Sequence, residues 1–207
     1  MCIICETKNM DELIHLTSLY CCNCPLITEI PGTLVNLTSL DCHNCPQLTE
    51  IPGTLNLTSL DCYRCPLITE IPGTLVNLIF LYCSNCPQLT EIPGTLVNLT
   101  SLYCHNCPLI TKIPGTLVNI TYLDCHKCPR LTEIPRTLIN LDSLRCSNCP
   151  QLTKIPGTLV NLDSLDCHNC PRLTEIPETD AYLKCGNCNW LQNKNREYNS
   201  NILQLIQ

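Results

Sequence analysis

Residues 99–119 read "LTSLYCHNCPLITKIPGTLVN", and residues 37–55 read "LTSLDCHNCPQLTEIPGTL", nearly the same text. Each holds a Cys-x-x-Cys pair, and the pair recurs along the chain. Its first cysteines are Cys21, Cys42, Cys62, Cys83, Cys104, Cys125, Cys146, Cys167 and Cys185. The step is 21 residues, one shorter before Cys62, where "GTLNL" replaces "GTLVNL", and three shorter before Cys185. A fixed period in this range marks a solenoid, in which each copy forms one coil and buries its apolar face against its neighbours.

Within a copy, local chemistry sets the shape of the coil. Apolar residues fall at Leu37, Leu40, Cys42, Cys45, Leu48, Ile51 and Leu55. The L-x-x-L-x-C segment has period two near its end, as a short strand does. Pro46 has no N–H for a sheet ladder and should stop the strand. Pro52 and Gly53 mark a second corner. No three-turn helix fits between these corners. Each copy is therefore expected to give one strand and an extended or single-turn return, with successive strands stacked in parallel.

This pattern resembles the leucine-rich repeat, L-x-x-L-x-L-x-x-(N/C)-x-L. Cys42 takes its third Leu position and Cys45 its Asn/Cys position, and the match recurs over residues 16–191. The chain departs from the family in placing Cys at both inner positions and in spacing Cys45 three residues from Leu48. The resemblance implies an α/β-class, strand-dominated leucine-rich repeat solenoid. Its curved parallel β-sheet would line the concave face, with short irregular or 3-10 returns on the convex face. Three parts are expected: an N-terminal cap over 1–15, about nine coils over 16–191, and a C-terminal cap or tail over 192–207. Leu13 falls in register with Leu55, and Trp190 is placed to close the last coil. The short, near-identical copies are also similar to repeat proteins of large DNA viruses.

Composition narrows the function. With a net charge of −6 and no basic stripe to replace phosphate counterions, no nucleic-acid partner is expected. No apolar run approaches the roughly 20 residues that span a bilayer, so no membrane is expected either. The start, "MCIICETKNMDELIHL", lacks the basic end and apolar stretch of a signal peptide. The expectation is a cytoplasmic, reducing location, where disulfides are rare. The Asn-x-Thr sequons at Asn36, Asn56, Asn98 and Asn119 would then stay unmodified.

The 21 cysteines admit three readings. Cys42, Cys45, Cys62 and Cys65 have the spacing of many four-Cys zinc sites, so a Cys-rich zinc-binding protein is the alternative function. The repeat weighs against it, because both cysteines fall at interior positions and every pair has an equivalent neighbour on each side. Disulfides between strands need Cβ atoms at about 3.8 Å, while parallel strands lie about 4.8 Å apart. The favoured reading is core packing, since a buried Cys behaves as a small hydrophobe with a weak S–H donor. The second thiol of each pair would face a turn carbonyl. No metal or cofactor is expected.

Residues alternating with the buried ones face outward. In that column the chain places most of its aromatics. Tyr63, Phe80, Tyr82, Tyr103 and Tyr122 come from four consecutive copies, with His105, Asp124 and His126 beside them. Those eight residues are the expected partner-binding site, because exposed aromatic clusters mark binding hot spots. Ser39, Asp41 and His43 are the residue types of a hydrolase triad. Lying in a row on one strand, with no oxyanion hole, they are not expected to be catalytic. The expected function is a non-enzymatic, monomeric scaffold binding a protein partner through the concave sheet.

Overall fold

The computed structural model describes residues 3–6, 12–178 and 181–189. A short helix α1, Ile3–Glu6, precedes nine strands in that part of the chain: β1 Ser18–Tyr20, β2 Ser39–Asp41, β3 Ser59–Asp61, β4 Phe80–Tyr82, β5 Ser101–Tyr103, β6 Tyr122–Asp124, β7 Ser143–Arg145, β8 Ser164–Asp166 and β9 Tyr182–Lys184. They form one parallel sheet in chain order. Each central leucine pairs with its equivalent, as Leu60 with Leu81 and Leu81 with Leu102. The shorter copy before Cys62 keeps this register, with Leu40 opposite Leu60, because the deletion is absorbed in the return.

The strands are three residues long because the chain turns soon after them. Cys104 N–H still donates to Asp124 O on the next coil at 2.9 Å. Asn106 then takes a left-handed conformation, φ 56°. Asn tolerates that region better than most residues because its short side chain bonds locally. Arg64 and Lys127 occupy the same conformation in two coils. The rest of the coil is a chain of turns: Ile110 N–H to Cys107 O at 3.3 Å, Leu117 to Pro114 at 3.4 Å, and Ile120 to Leu117 at 3.2 Å. Pro108 sits at the second residue of the first turn, where its fixed φ is already correct.

The glycines are not there for a left-handed backbone, since none of those described has positive φ. Gly32, Gly53, Gly73, Gly94 and Gly115 admit the next coil. A Cβ on Gly115 would lie 3.0 Å from Thr137 Oγ1, whose hydroxyl donates to Gly115 O at 2.6 Å. Arg136 stands in the same place one coil later, and Thr158 Oγ1 still donates to its carbonyl at 2.7 Å. Glycine is thus a preference at this corner.

Each coil sends the same residues inward. Leu99, Leu102, Cys104, Cys107, Ile110, Ile113 and Leu117 are all 3% exposed or less. Leu13 is buried at 3%, as its register predicts. The stacked coils make one continuous core of Leu, Ile and Cys, with no aromatic side chain among the described buried hydrophobics. The cysteines form two columns within it. Cys107 Sγ donates to Cys83 O at 3.2 Å, Cys128 to Cys104 O at 3.3 Å and Cys149 to Cys125 O at 3.3 Å. These carbonyls fall where the sheet ends, so the thiols satisfy acceptors that would otherwise be buried without a donor. From Cys62 to Cys170 the ladder cysteines are thiols, not disulfides.

The last coil differs. Tyr182 is 77% and Leu183 36% exposed, so β9 leaves an open sheet edge among the described residues. Trp190 and the expected cap or tail over 192–207 lie outside the described residues.

Candidate binding face

The outward side of the sheet carries a stack of rings. Tyr82 and Tyr103 face each other in register across β4 and β5, with centroids 4.6 Å apart and planes 18° from parallel. Tyr122 is two positions off that row, opposite Ser101, yet leans diagonally onto Tyr103 at 4.7 Å and 28°. Such diagonal neighbours are within reach of aromatic side chains. Each stacked pair is worth about 0.5–1.5 kcal/mol beyond its buried area. Phe80 shares the face and is 41% exposed, but its register partners are Ser59 and Ser101, so it stands beside the stack.

A second row runs parallel to the first. His105 and His126 stack at 4.3 Å, planes 15° apart. Tyr63 approaches His105 at 6.4 Å in a tilted arrangement, and the Arg64 guanidinium lies 5.0 Å over the Tyr63 ring. The eight expected site residues therefore do lie on one face over four neighbouring coils.

Asp124 corrects the expectation for that face. It is 1% exposed and offers almost no surface to a partner. His126 Nδ1 lies 2.6 Å from its Oδ1, Arg145 Nη1 donates to Oδ2 at 3.1 Å, and His105 Nδ1 stands 3.6 Å from Oδ2. A carboxylate beneath two imidazoles and a guanidinium is covered by them, whichever way its Cβ points. Its role is to hold the histidine row.

The sequence reading missed three supports of this row. Ser84, buried at 1%, receives the His105 backbone N–H at 3.1 Å and meets His105 Nδ1 at 2.8 Å. Arg145 was not linked to Asp124, although it is one of only two basic residues in the column that carries the tyrosines and aspartates. The third is an amide ladder made by the left-handed asparagines. Asn106 Nδ2 donates to Asn85 Oδ1 at 2.6 Å, which turns the Asn85 NH2 group toward His105 Nε2 at 3.4 Å. Nε2 is then the acceptor, and the neutral ring carries its proton on Nδ1. Burial first of all pushes the His105 pKa down. His126, Arg145 and Lys127 add to this, and Asp124 opposes it.

The Ser39, Asp41 and His43 row has the same logic. Asp41 Oδ1 lies 2.6 Å from His43 Nδ1. Asn44 Nδ2 donates to Asn23 Oδ1 at 2.8 Å, and Asn23 Nδ2 faces His43 Nε2 at 3.4 Å. A triad needs a nucleophilic hydroxyl at Nε2, and an amide is there instead.

The Cys-x-x-Cys pairs do not converge as metal sites. Among the described residues, the groups with metal-ligand potential are Cys22 with Asp41 and His43, and His105 with Asp124 and His126. Neither contains a pair. Burial above all raises the thiol pKa values of Cys83, Cys125 and Cys146 well above normal and pushes Cys107 up to about 12. Hydrogen bonds from Cys42 and Cys104 above all lower those of Cys65 and Cys128, and one from Cys167 lowers that of Cys188 to about 7. The lack of convergence, not protonation, therefore weighs against a metal at the pairs.

A depression of about 830 Å³ also runs along the Ile-Pro-Gly-Thr corners, past Lys112, Glu133, Lys154 and Glu175. Its charges alternate in sign from coil to coil and largely cancel, and it has no aromatic lining. It presents less to a partner than the ring-bearing face does.

The family comparisons agree with this architecture. A model described as two copies of leucine-rich repeats matches residues 76–115, and a single leucine-rich repeat model matches 15–37 and 56–78. The leucine-rich repeat domain of the type III effector XCV3220 (XopL) is similar with TM-score 0.60 and 21% identity, over 82% of this chain and 74% of that one. YopM, a leucine-rich effector protein from Yersinia pestis, is similar with TM-score 0.57 and 20% identity, over 83% of this chain and 49% of that one. The present chain thus spans about half the length of YopM. At these identities the likeness is one of fold. No curated relative matches the sequence.

Proposed function

We propose, from the premise that this chain is a leucine-rich repeat solenoid, that it is a non-enzymatic scaffold that binds a protein partner through the concave sheet. Folds of this kind commonly serve as protein-interaction modules. The observation that carries the reading is the Tyr82–Tyr103–Tyr122 stack. Its rings are ordered by one another before any partner arrives, so less side-chain entropy is lost on binding. Tyrosine supplies both apolar area and a hydroxyl, the mix found at interface hot spots.

The partner meets the tyrosine row, Phe80, and the edges of His105 and His126. The acidic net charge supports a partner other than nucleic acid. Among the described residues no helix is long and apolar enough to cross a membrane. Buried thiols that donate to carbonyls support a reducing compartment, and the scaffold acts as a monomer.

The test compares wild type with Tyr82→Ala/Tyr103→Ala and with the corner variant Lys112→Ala as baits, quantified by mass spectrometry. A partner enriched by wild type should be lost from the double variant and kept by Lys112→Ala. Retention of every partner by the double variant would show that binding lies elsewhere.

A further inference from the structure

The seventh residue of each coil, two beyond the tyrosine and aspartate column, holds a cysteine once, at Cys22. Unlike the ladder cysteines from Cys42 to Cys170 it does not belong to the core cluster and is only partly buried. The next coil brings Asp41 and His43 beside it. One ligand atom from each of the three lies within 4.8 Å of the others. We propose that Cys22, Asp41 and His43 form a binding site for one zinc-class divalent ion, contrary to the expectation that the chain holds no metal.

The donor set fits that chemistry. Thiolate, carboxylate and imidazole together suit a borderline-soft ion with tetrahedral preference. With bonds of about 2.0–2.3 Å, tetrahedral ligands stand about 3.5 Å apart, so modest side-chain rotation closes the set. Asp41 and His43 are already in contact at 2.6 Å and keep 25% and 31% of their side-chain surface exposed, so an ion can reach them. Binding releases the Cys22 thiol proton to solvent and takes one His43 nitrogen from its present partner, Asp41 Oδ1 at Nδ1 or the Asn23 amide at Nε2, with the ring proton on the other nitrogen. It leaves a fourth position for water.

The local charge also favours a cation. Asp41 pairs in register with Tyr20 and Asp61, so its strand neighbours bring no positive group and one more carboxylate. Burial above all, and the Asp41 charge after it, push the Asp61 carboxyl up despite its bond from Tyr63 N–H. The His105, Asp124 and His126 group uses the same three repeat positions but is filled differently. Arg145 holds the Asp124 carboxylate at 3.1 Å, and that carboxylate is only 2% exposed. A metal there would have to expel a guanidinium, and at Asp41 it would not.

Cobalt is the probe, on the full chain kept reduced with a non-coordinating phosphine. One equivalent of Co²⁺ should give a thiolate-to-cobalt charge-transfer band in the near ultraviolet, displaced by Zn²⁺. Cys22→Ser should abolish the band. Asp41→Asn and His43→Gln should each weaken Zn²⁺ binding by at least about 10-fold, with unchanged circular dichroism, while His126→Gln should leave it intact. Absence of the band in wild type, or its survival in Cys22→Ser, overturns the proposal. A site made by His105 and His126 would bind cobalt without the sulfur band. Because Tyr82 and Tyr103 are not part of the set, the partner-binding test can fail while this one succeeds, and the reverse.

Discussion

Two adjacent columns of the solenoid follow opposite rules. The sixth residue of every coil is cysteine, from Cys21 to Cys185, whereas the seventh reads Cys22, His43, Tyr63, Ser84, His105, His126, Ser147, His168 and Gly186. The sixth side chain is packed between two copies of itself, so its volume must suit its neighbour's in every layer. The seventh has no fixed surroundings: it is buried as Ser84 and Ser147, partly exposed as His43, and stacked on its counterpart as His105 and His126. Repetition along this chain is therefore a packing requirement inside and a free choice outside. Binding chemistry can accumulate only in the columns that are not locked by layer-to-layer contact.

The largest effect should come from crossing that boundary by one residue. Leu102→Arg places a charge where exposure is 0%, between Leu81 and Leu123. An unpaired buried charge cannot be solvated there, so the variant should unfold or split the solenoid at that coil. Tyr103→Arg, its chain neighbour, should remain folded and lose about 1–3 kcal/mol with the two ring contacts. Urea unfolding of the pair checks this. Similar midpoints for the two variants would show that the inner column is not close-packed.

A smaller effect tests the thiol ladder itself. Cys107→Ser keeps a donor near Cys83 O, now 3.2 Å from the sulfur, but the shorter side chain reaches it less well. An imperfectly paired buried hydroxyl should cost about 1–3 kcal/mol. Ser84, in the outer column, meets His105 N–H and Nδ1 through its hydroxyl. Ser84→Cys should cost less, because the longer thiol stays near both groups. Melting temperatures in the presence and absence of a chelator separate this account from a structural metal. If chelation lowers the melting point of Cys22→Ser as well, the ladder holds metal and the comparison between columns collapses.

The inner column was legible in the sequence because layer packing repeats it. Leu99, Leu102, Cys104 and Cys107 could be placed inside from spacing alone, and so could the parallel register and the proline corners. The outer column was legible only as a list of residue types. That Tyr82 and Tyr103 stack follows from their shared position. That Tyr122 joins them from another position depends on a diagonal lean that no period encodes. Asp124 was misplaced because alternation describes where Cβ points, not what later covers the carboxylate. Arg145, one coil away, was the signal available. The asparagine ladder was missed for a different reason. No glycine marks the left-handed position of a Cys-x-x-Cys turn; Asn106 and most of its equivalents carry it, and their amides then fix the histidine tautomers.

The finest test of the outer column is its response to acid. The His105 pKa lies below the ordinary value, with burial as the main cause. Between that folded value and the unfolded value of about 6.5, the unfolded chain binds more protons than the folded one. Stability from this group is therefore complete above the unfolded value and is lost as pH falls through the window. Asp124 pulls the other way, so the slope should be shallow. Protonating His105 also places a charge in the 4.3 Å stack with the His126 ring, where His126, Arg145 and Lys127 all disfavour it. The row that flanks the tyrosines should loosen, and partner affinity should fall with stability. Wild type and His105→Gln, unfolded in urea at a series of pH values, isolate the term by difference. Wild type should lose the more stability on acidification. If the two lose the same amount, His105 carries no linked proton, and this outer position is as passive as the serine that replaces it in Ser147.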